Sequence, residues 1–506
     1  MAKAQAGTST GTGAGSAHAA PAPPPLARAE PAVSYKYRHT ASLQEDHREP
    51  LFCIAFNTFD LRHRDVFASV GQHRATIYRL LPAGQFEVLQ VYEDGDRGRK
   101  TGGGGGSSAG GGGGFSDAEE GAAAAAGAAG SGGGGGRHGS SASAAATTPN
   151  GEHFYCCKWS ADPDTGAALL LLAGEKALVR VLDVSRGCLV ATFAGHGKSI
   201  NDIAVHPDRP HLFLTASEDE SVRLWNLRSR TCVAIFAGEG GHRNKVLSLD
   251  FHPWDGHRFL SSGMDNAVKV WSLAPLERLL EESERAADGC VGGPGGGGPR
   301  RAFPTRVVQQ PLFSTLRVHN DYVDCVRWLG DLVLSKSVHD IITLWRPHSQ
   351  AKHRRPPPVP EGGGAGGSGA GGSGGAESED DEDVGVSASG RLGGEAVAGR
   401  ATKIADFRLD ESLRTWFVRF AMDLRHSVLA CGSAKGKVFV FCPLVSGASS
   451  SSAPLQPRAR LTAKGCNTVV RQTAVSWDGG TILAACEDGS IQRWDRDSGE
   501  AGGEEQ

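Results

Sequence analysis

The stretch G-H-G-K-S-I-N-D-I-A-V-H-P-D-R-P-H-L-F-L-T-A-S-E-D-E-S-V-R-L-W, residues 195–225, decides the fold. It opens on Gly195-His196, runs as an apolar strand to Val205, turns at V-H-P-D-R-P, and returns as a second apolar strand. A tight turn then leads into a third strand that ends at Trp225, with Asp219 six residues earlier. Gly241-His242 begins a similar unit with Asp265 before Trp271, and Asp488 stands at the same distance from Trp494. Working outward, the first strand recurs seven times, with inner apolar anchors at Phe56, Trp159, Val205, Phe251, Trp328, Phe420 and Val475. The matching third strands end in Tyr78, Leu182, Trp225, Trp271, Trp345, Phe441 and Trp494.

These units read as WD repeats, each predicted to make one four-stranded blade, and seven of them make an all-β, seven-bladed propeller around a central channel. Seven blades need roughly 300 residues at about 40–45 each, so the 506-residue chain holds one propeller plus long insertions. We expect the propeller to span 34–497, with tails at 1–33 and 498–506. Low-complexity insertions fall at about 97–150, 349–402 and 443–460, where Gly, Ala, Pro and Ser tracts cannot bury enough apolar surface to offset chain ordering, so disordered loops are predicted. Tyr35 to Leu43 is predicted to supply the outer strand of the last blade, closing the ring and covering a sheet edge. Leu276-Glu277-Arg278-Leu279-Leu280 has a short helical pattern, read either as a frayed surface helix or as a partner's docking point.

The anchors allow the register to be read across blades, because positions at one offset along equivalent strands occupy equivalent places. Four residues before them stand Phe52, Tyr155, Asn201, Leu247, Asp324, Trp416 and Arg471, predicted to line one rim of the channel. Three of the seven are aromatic against 7% of the chain, and they fall in blades one, two and six, around blade seven. Phe417 follows Trp416 on the same side. A cluster of ring faces at a channel mouth can cage a quaternary ammonium, which has little hydration to lose. Strands also carry aromatic residues for packing alone, so an inert rim is the competing reading.

The stretches S-L-Q-E-D-H-R-E-P-L-F (42–52), G-H-R-N-K-V-L-S (241–248), N-D-Y-V-D-C-V-R-W-L-G-D-L-V-L-S-K-S (320–337) and R-Q-T-A-V-S-W-D (471–478) resemble the embryonic ectoderm development family. That family includes extra sex combs and fertilization-independent endosperm, the WD-repeat subunit of Polycomb repressive complex 2, and the resemblance covers about Ala41 to Arg496 outside the insertions. It implies that Phe52, Tyr155, Trp416 and Phe417 cage the trimethylated lysine 27 of histone H3, that Asn201 and Arg471 contact the peptide, and that binding stimulates an Enhancer of zeste methyltransferase. It also implies other subunits of the complex as partners, a helical methyltransferase segment on the opposite face, and a nuclear location. Phe417 stands where many relatives have Tyr, and Glu218 where Lys is expected.

The remaining signals narrow the function. Net charge is −3, which gives no general nucleic-acid surface. Eleven cysteines are scattered without a C-x-x-C pair, so zinc and redox motifs lack support, and no cofactor is expected. No apolar run near 18 residues predicts a membrane span. Lys352-His353-Arg354-Arg355 is a weak nuclear-import candidate that reads equally as solvated loop. Glycine tracts in 102–136 match G-x-G-x-x-G without a flanking strand and helix, and no nucleophile elbow, carboxylate pair or H-E-x-x-H is present. His196, His206, His242 and His252 recur at repeat positions and are assigned to structural hydrogen bonds. The chain is therefore expected to be a non-enzymatic binding module: a histone-mark reader, or alternatively a propeller scaffold without methyl-lysine readout.

Overall fold

The computed structural model describes residues 34–94, 151–288, 303–339, 341–348, 399–409, 415–444 and 453–497. The tails at 1–33 and 498–506, the segment 97–150, residues 349–398 of 349–402 and residues 445–452 of 443–460 lie outside the described residues. At the edges of the last two, strand Arg400–Arg408 begins inside the segment expected to be insertion, and so does Ala459–Leu461.

Seven sheets follow one another in chain order, six of four antiparallel strands and one of five in which the fifth strand is parallel. Blade one, for example, is Cys53–Phe56, Val66–Gly71, Arg74–Leu80 and Phe86–Glu93. Apolar layers lie between blades: Phe154, Leu170 and Leu182 of blade two pack on Val66, Val70 and Ile77 of blade one, and Leu212, Leu224 and Phe236 of blade three on Val246, Phe259 and Trp271 of blade four. Because both faces of a blade are covered, the second strands read as continuous apolar runs such as Leu169–Leu172, which are 0–2% exposed. The last blade is closed by the N-terminal strand Tyr37–Gln44, paired antiparallel to Ser490–Arg496 from Tyr37↔Arg496 to Gln44↔Ser490. That pairing makes Tyr37–Gln44 the outer strand of the last blade and covers the edge that Ser490–Arg496 would otherwise expose.

The anchors and the third-strand residues stand in one row across each blade. Phe56, Phe67 and Tyr78 pair in sequence, as do Val205, Phe213 and Trp225, and Trp328, Val333 and Trp345. Blade six departs from this register. There Met422, not Phe420, lies opposite Leu429 and Phe441, and the inner strand is only Ala421–Met422. Phe420 is still buried, at 1% exposed, in the layer shared with blade five.

Two of the recurring histidines form the expected networks. His196 Nδ1 is 2.8 Å from Asp219 and its Nε2 2.6 Å from Thr215 Oγ1, which accepts the Trp225 indole N–H at 2.9 Å. His242, Asp265, Ser261 and Trp271 repeat this in blade four. His206 and His252 instead accept backbone N–H groups of their turns at Nδ1. Blade seven keeps Asp488 but not the network, since the Trp494 indole donates to the Thr462 carbonyl at 3.2 Å. The short helical pattern forms helix α1, Glu277–Asp288, which is docked on its own propeller rather than frayed: Leu276 and Leu280 are buried, Asn226 Nδ2 donates to Ser283 Oγ at 2.8 Å, and Glu277 and Glu284 meet Arg209 and His211. Arg306–Val308 then adds a parallel fifth strand to blade three.

In blade five His319 Nε2 lies 2.6 Å from Ser335 Oγ, which accepts the Trp345 indole at 2.8 Å. Burial, helped by Lys403 and Lys336, pushes this ring down from 6.5 to about 4. The unfolded chain therefore takes up a proton at a pH where the folded ring does not. Its contribution is fully present above pH 6.5 and is lost as pH falls toward 4, at roughly 1.4 kcal/mol per pH unit. The urea midpoint should be flat above pH 7 and fall below 6.5, and His319→Asn should make that fall shallower.

Candidate functional site

Each of the seven inner strands was expected to present a rim residue four positions before the anchor, and the structure shows what that position is in five of them. In blades two, three, four, five and seven the ladder skips one residue there: Tyr155, Asn201, Leu247, Asp324 and Arg471. A bulge leaves its extra residue unpaired and re-aims its side chain. The same irregularity thus recurs at one mouth of the channel in blade after blade.

Not all of these residues face open space. Asn201 is 3% exposed and its amide donates to the Val246 carbonyl at 2.9 Å, so it tethers blades three and four. Leu247 and Asp324 are fully buried, and Asp324 holds Lys336 at 3.0 Å and accepts from the Val418 N–H. On that side the expected rim is closed. On the other side the aromatic residues converge. The Phe52 ring centroid is 5.5 Å from that of Tyr155 and 5.9 Å from that of Phe417, Tyr155 and Phe417 are 6.4 Å apart, and Trp416 is 5.8 Å from Phe417. All four contacts are edge-to-face, which turns the rings at steep angles to one another. Phe52 and Tyr155 are half-buried, Phe417 is buried and Trp416 is 44% exposed.

Two consecutive residues of a strand point to opposite faces, so Trp416 and Phe417 could not both join this cluster from a regular strand. The chain avoids this by leaving the ladder: Phe417 has φ 60°, the left-handed region that a bulky side chain rarely adopts. Such a conformation costs about 1–3 kcal/mol and persists only where its surroundings impose it. Arg419 imposes it here. Its guanidinium carbon lies 4.6 Å from the Phe417 ring centroid, and it is 1% exposed. Arg419 also pairs with Asp202 at 3.0 Å and donates to the carbonyls of Asn201 and Leu247 at 2.7 and 2.8 Å, reaching across to blades three and four. Burial alone would raise the Asp202 carboxyl, but the guanidiniums of Arg419 and Arg327 outweigh it and hold it below the usual range. Neither Arg419 nor Asp202 was singled out from the sequence. The available signal was a charged residue inside the strand-like runs F-V-R-F and N-D-I-A, since a buried charge requires a partner.

Arg471 supports Trp416 from the side, donating to its carbonyl at 3.0 Å while its other nitrogen holds Glu487 at 2.9 Å. Glu218 is paired with Lys245 of blade four at 2.9 Å, so a lysine stands beside the position where one was expected. Burial, with Glu175, Glu218 and Glu152 nearby, pushes the Tyr155 phenol up to about 12, and it stays neutral at physiological pH. The arrangement offers ring faces in an acidic neighbourhood, suited to an organic cation. At the other mouth the channel opens into a cavity of about 330 Å³ bordered by Phe56, Trp159, Phe251 and Trp328. Among the described residues no cluster of ligating side chains is arranged for a metal.

The fold and its recurring inner-strand geometry define a WD-repeat propeller. The WD domain, G-beta repeat model matches residues 187–226 and 230–272. The rice (Oryza sativa subsp. japonica) Polycomb group protein FIE1 is 35% identical over 92% of this chain and 93% of its own length. The Polycomb protein esc of Musca domestica is 30% identical over 92% and 85%. The chain belongs to this Polycomb family of fertilization-independent endosperm and esc proteins. A chain of an active polycomb repressive complex 2 in the basal state shares the fold with TM-score 0.62 at 20% identity, covering 92% of this chain and 99% of that one. A chain from a ctPRC2 complex with H3K27me3 and H3K27M does so with TM-score 0.60 at 20% identity, over 91% and 98%.

Removing Arg419 would leave Asp202 buried without its counter-ion, which costs about 3–5 kcal/mol. Arg419→Met should lower the urea midpoint accordingly, and Arg419→Met with Asp202→Leu should recover part of the loss.

Proposed function

We propose that this protein is a non-catalytic reader and regulatory subunit of a nuclear Polycomb repressive complex 2. In this reading Phe52, Tyr155, Trp416 and Phe417 bind lysine 27 of histone H3 when it is trimethylated, and the bound mark stimulates an Enhancer of zeste methyltransferase. The observation that carries it is the convergence of four rings from three blades at one mouth, Phe417 in a left-handed conformation that only its setting sustains. Family membership and a solved complex of the same fold described as holding H3K27me3 support it. An unmethylated ammonium would give up hydrogen bonds to water on entering an aromatic pocket, whereas a trimethylated one has none to give up. Phe417 serves without a hydroxyl, because the attraction comes from the ring quadrupole. Asn201 and Arg471, expected to touch the peptide, also brace the rim through hydrogen bonds to the Val246 and Trp416 carbonyls.

A scaffold without methyl-lysine readout is favoured by one observation: Arg419 already lies against the Phe417 ring. Calorimetry with H3 peptides separates the two. Each ring contributes roughly 0.5–2 kcal/mol, so Phe52→Ala, Tyr155→Ala and Trp416→Ala should each weaken trimethyl-lysine binding by about two- to thirty-fold. Folded variants that bind as tightly as the native chain, or a native chain indifferent to methylation, would establish the scaffold instead. The methyltransferase segment is assigned to the opposite mouth as an amphipathic helix in a groove. Trp416→Ala should therefore leave co-purification with the methyltransferase intact.

A further inference from the structure

The residue just before the anchor stands at one height on every inner strand, taking Met422 as the anchor of blade six. Four of these seven residues are alanines: Ala55 in blade one, Ala204 in blade three, Ala421 in blade six and Ala474 in blade seven. Their short side chains leave room at the centre of the ring. The other three carry charge: Lys158 in blade two, Asp250 in blade four and Arg327 in blade five, all half-buried. All seven border the channel cavity of about 330 Å³.

The charges in this layer do not cancel. Arg327 Nη1 donates to Ser248 Oγ and to the carbonyls of Leu249 and Val326, none of them charged. Among the described residues, Lys158 Nζ has no hydrogen bond and no carboxylate within 4.0 Å. Asp250 accepts the Trp328 N–H at 2.8 Å, and among the described residues no ammonium or guanidinium lies within 4.0 Å of it. Burial pushes its carboxyl up, although Arg327 and Lys158 pull the other way, so the layer's one carboxylate is a reluctant anion. The remaining charged groups nearby are accounted for. Asp423 borders the same cavity and accepts from Ser427 Oγ and the Val428 N–H of its own turn. His426 is pushed down by burial and stays neutral at physiological pH. Deeper in the ring, Arg419 and Asp202 neutralise each other.

Two cations thus face one carboxylate in a partly enclosed space, and an anion restores the balance. The walls define its kind. Phe56, Trp159, Phe251 and Trp328 border the cavity, so an apolar body fits beside a charged head. The volume stands at the lower end of the range for small-molecule pockets, about 300–1,000 Å³. A carboxylate accepts two N–H groups from a guanidinium or one from an ammonium, and its single charge matches the excess of one, which a phosphate dianion exceeds.

We propose that the channel binds a small organic monocarboxylate, its head held by Lys158 and Arg327 and its apolar body set among the rings of Phe56, Trp159 and Phe251. The site lies toward the mouth away from Phe52, Tyr155, Trp416 and Phe417, takes a ligand of the opposite charge, and does not depend on the methyl-lysine reading.

The test titrates the full chain with 4-fluorobenzoate, followed by fluorine NMR, and with 4-fluorobenzamide as a neutral ligand of the same shape. The benzoate should bind at least about tenfold more tightly than the benzamide. Lys158→Met keeps the stem and removes the charge; it should weaken benzoate binding by about tenfold and leave the benzamide unchanged. Ala55→Leu, which fills the space without altering a charge, should weaken both ligands, and Ala421→Leu repeats this from another blade should Ala55→Leu lower the urea midpoint. Inorganic phosphate at the same ionic strength should not displace the benzoate. Equal binding of the two ligands, full benzoate affinity in a folded Lys158→Met chain, or full affinity in a folded alanine variant would each overturn the proposal. Displacement by equimolar phosphate would also overturn it, by showing a site for any anion.

Discussion

The Arg419–Asp202 ion pair at the centre of the ring is the contact on which the binding mouth depends. Both side chains are 1% exposed, so each has lost its water, and the attraction between them offsets this together with the further hydrogen bonds that each makes, although Arg419 Nε is left buried without a partner. Arg419 uses two backbone carbonyls from blades three and four, and Asp202 accepts from the Leu249 N–H and Ser248 Oγ. The pair links blade six to the far side of the channel. It also presses a flat guanidinium against Phe417, which converts a point of backbone strain into a fixed ring position.

Around this centre the propeller repeats one device. Every inner strand but two carries a bulge at the same height, and what varies is the residue placed on it. On the blades near Arg419's carbonyl partners the bulged residue turns inward and is sealed by neighbours. On blades one, two and six the surroundings leave space and the rings remain partly open. The bulge demands close approach from the second strand, as at Gly174, where a Cβ would collide with the His153 carbonyl. A ring of this kind separates its two mouths: residues before the anchors meet at one, turns after them at the other. The aromatic cluster therefore sits at one mouth, and the guanidiniums of Arg64 and Arg425 lie 4.9 and 5.3 Å from the Trp477 ring centroid at the other.

Much of this was legible in the sequence, and particular residues show where legibility stopped. The anchor row and the third-strand tryptophans follow from strand alternation and the spacing of turns, both local properties. The closing strand at Tyr37–Gln44 follows from counting strands in the last repeat. In blade six the same counting placed Phe420 in the row, whereas Met422 occupies it, because the chain spends extra residues on the left-handed turn at Phe417. Asn201, Leu247 and Asp324 share their offset with Phe52 and Tyr155 but not their exposure. Offset is set along the strand, and exposure by what the neighbouring blade places opposite.

The sequence by itself determined that this chain is a closed ring of seven blades, which residues pack between them, and which rings stand at one height on three of them. These are consequences of period and spacing within each repeat. Only the tertiary structure decided that four of those rings meet, that a buried arginine from one blade and an aspartate 217 residues away hold them there, and that two arginines from blades one and six share a single indole. Such contacts join residues far apart in the chain, and they exist because ring closure brings non-consecutive blades to a common centre.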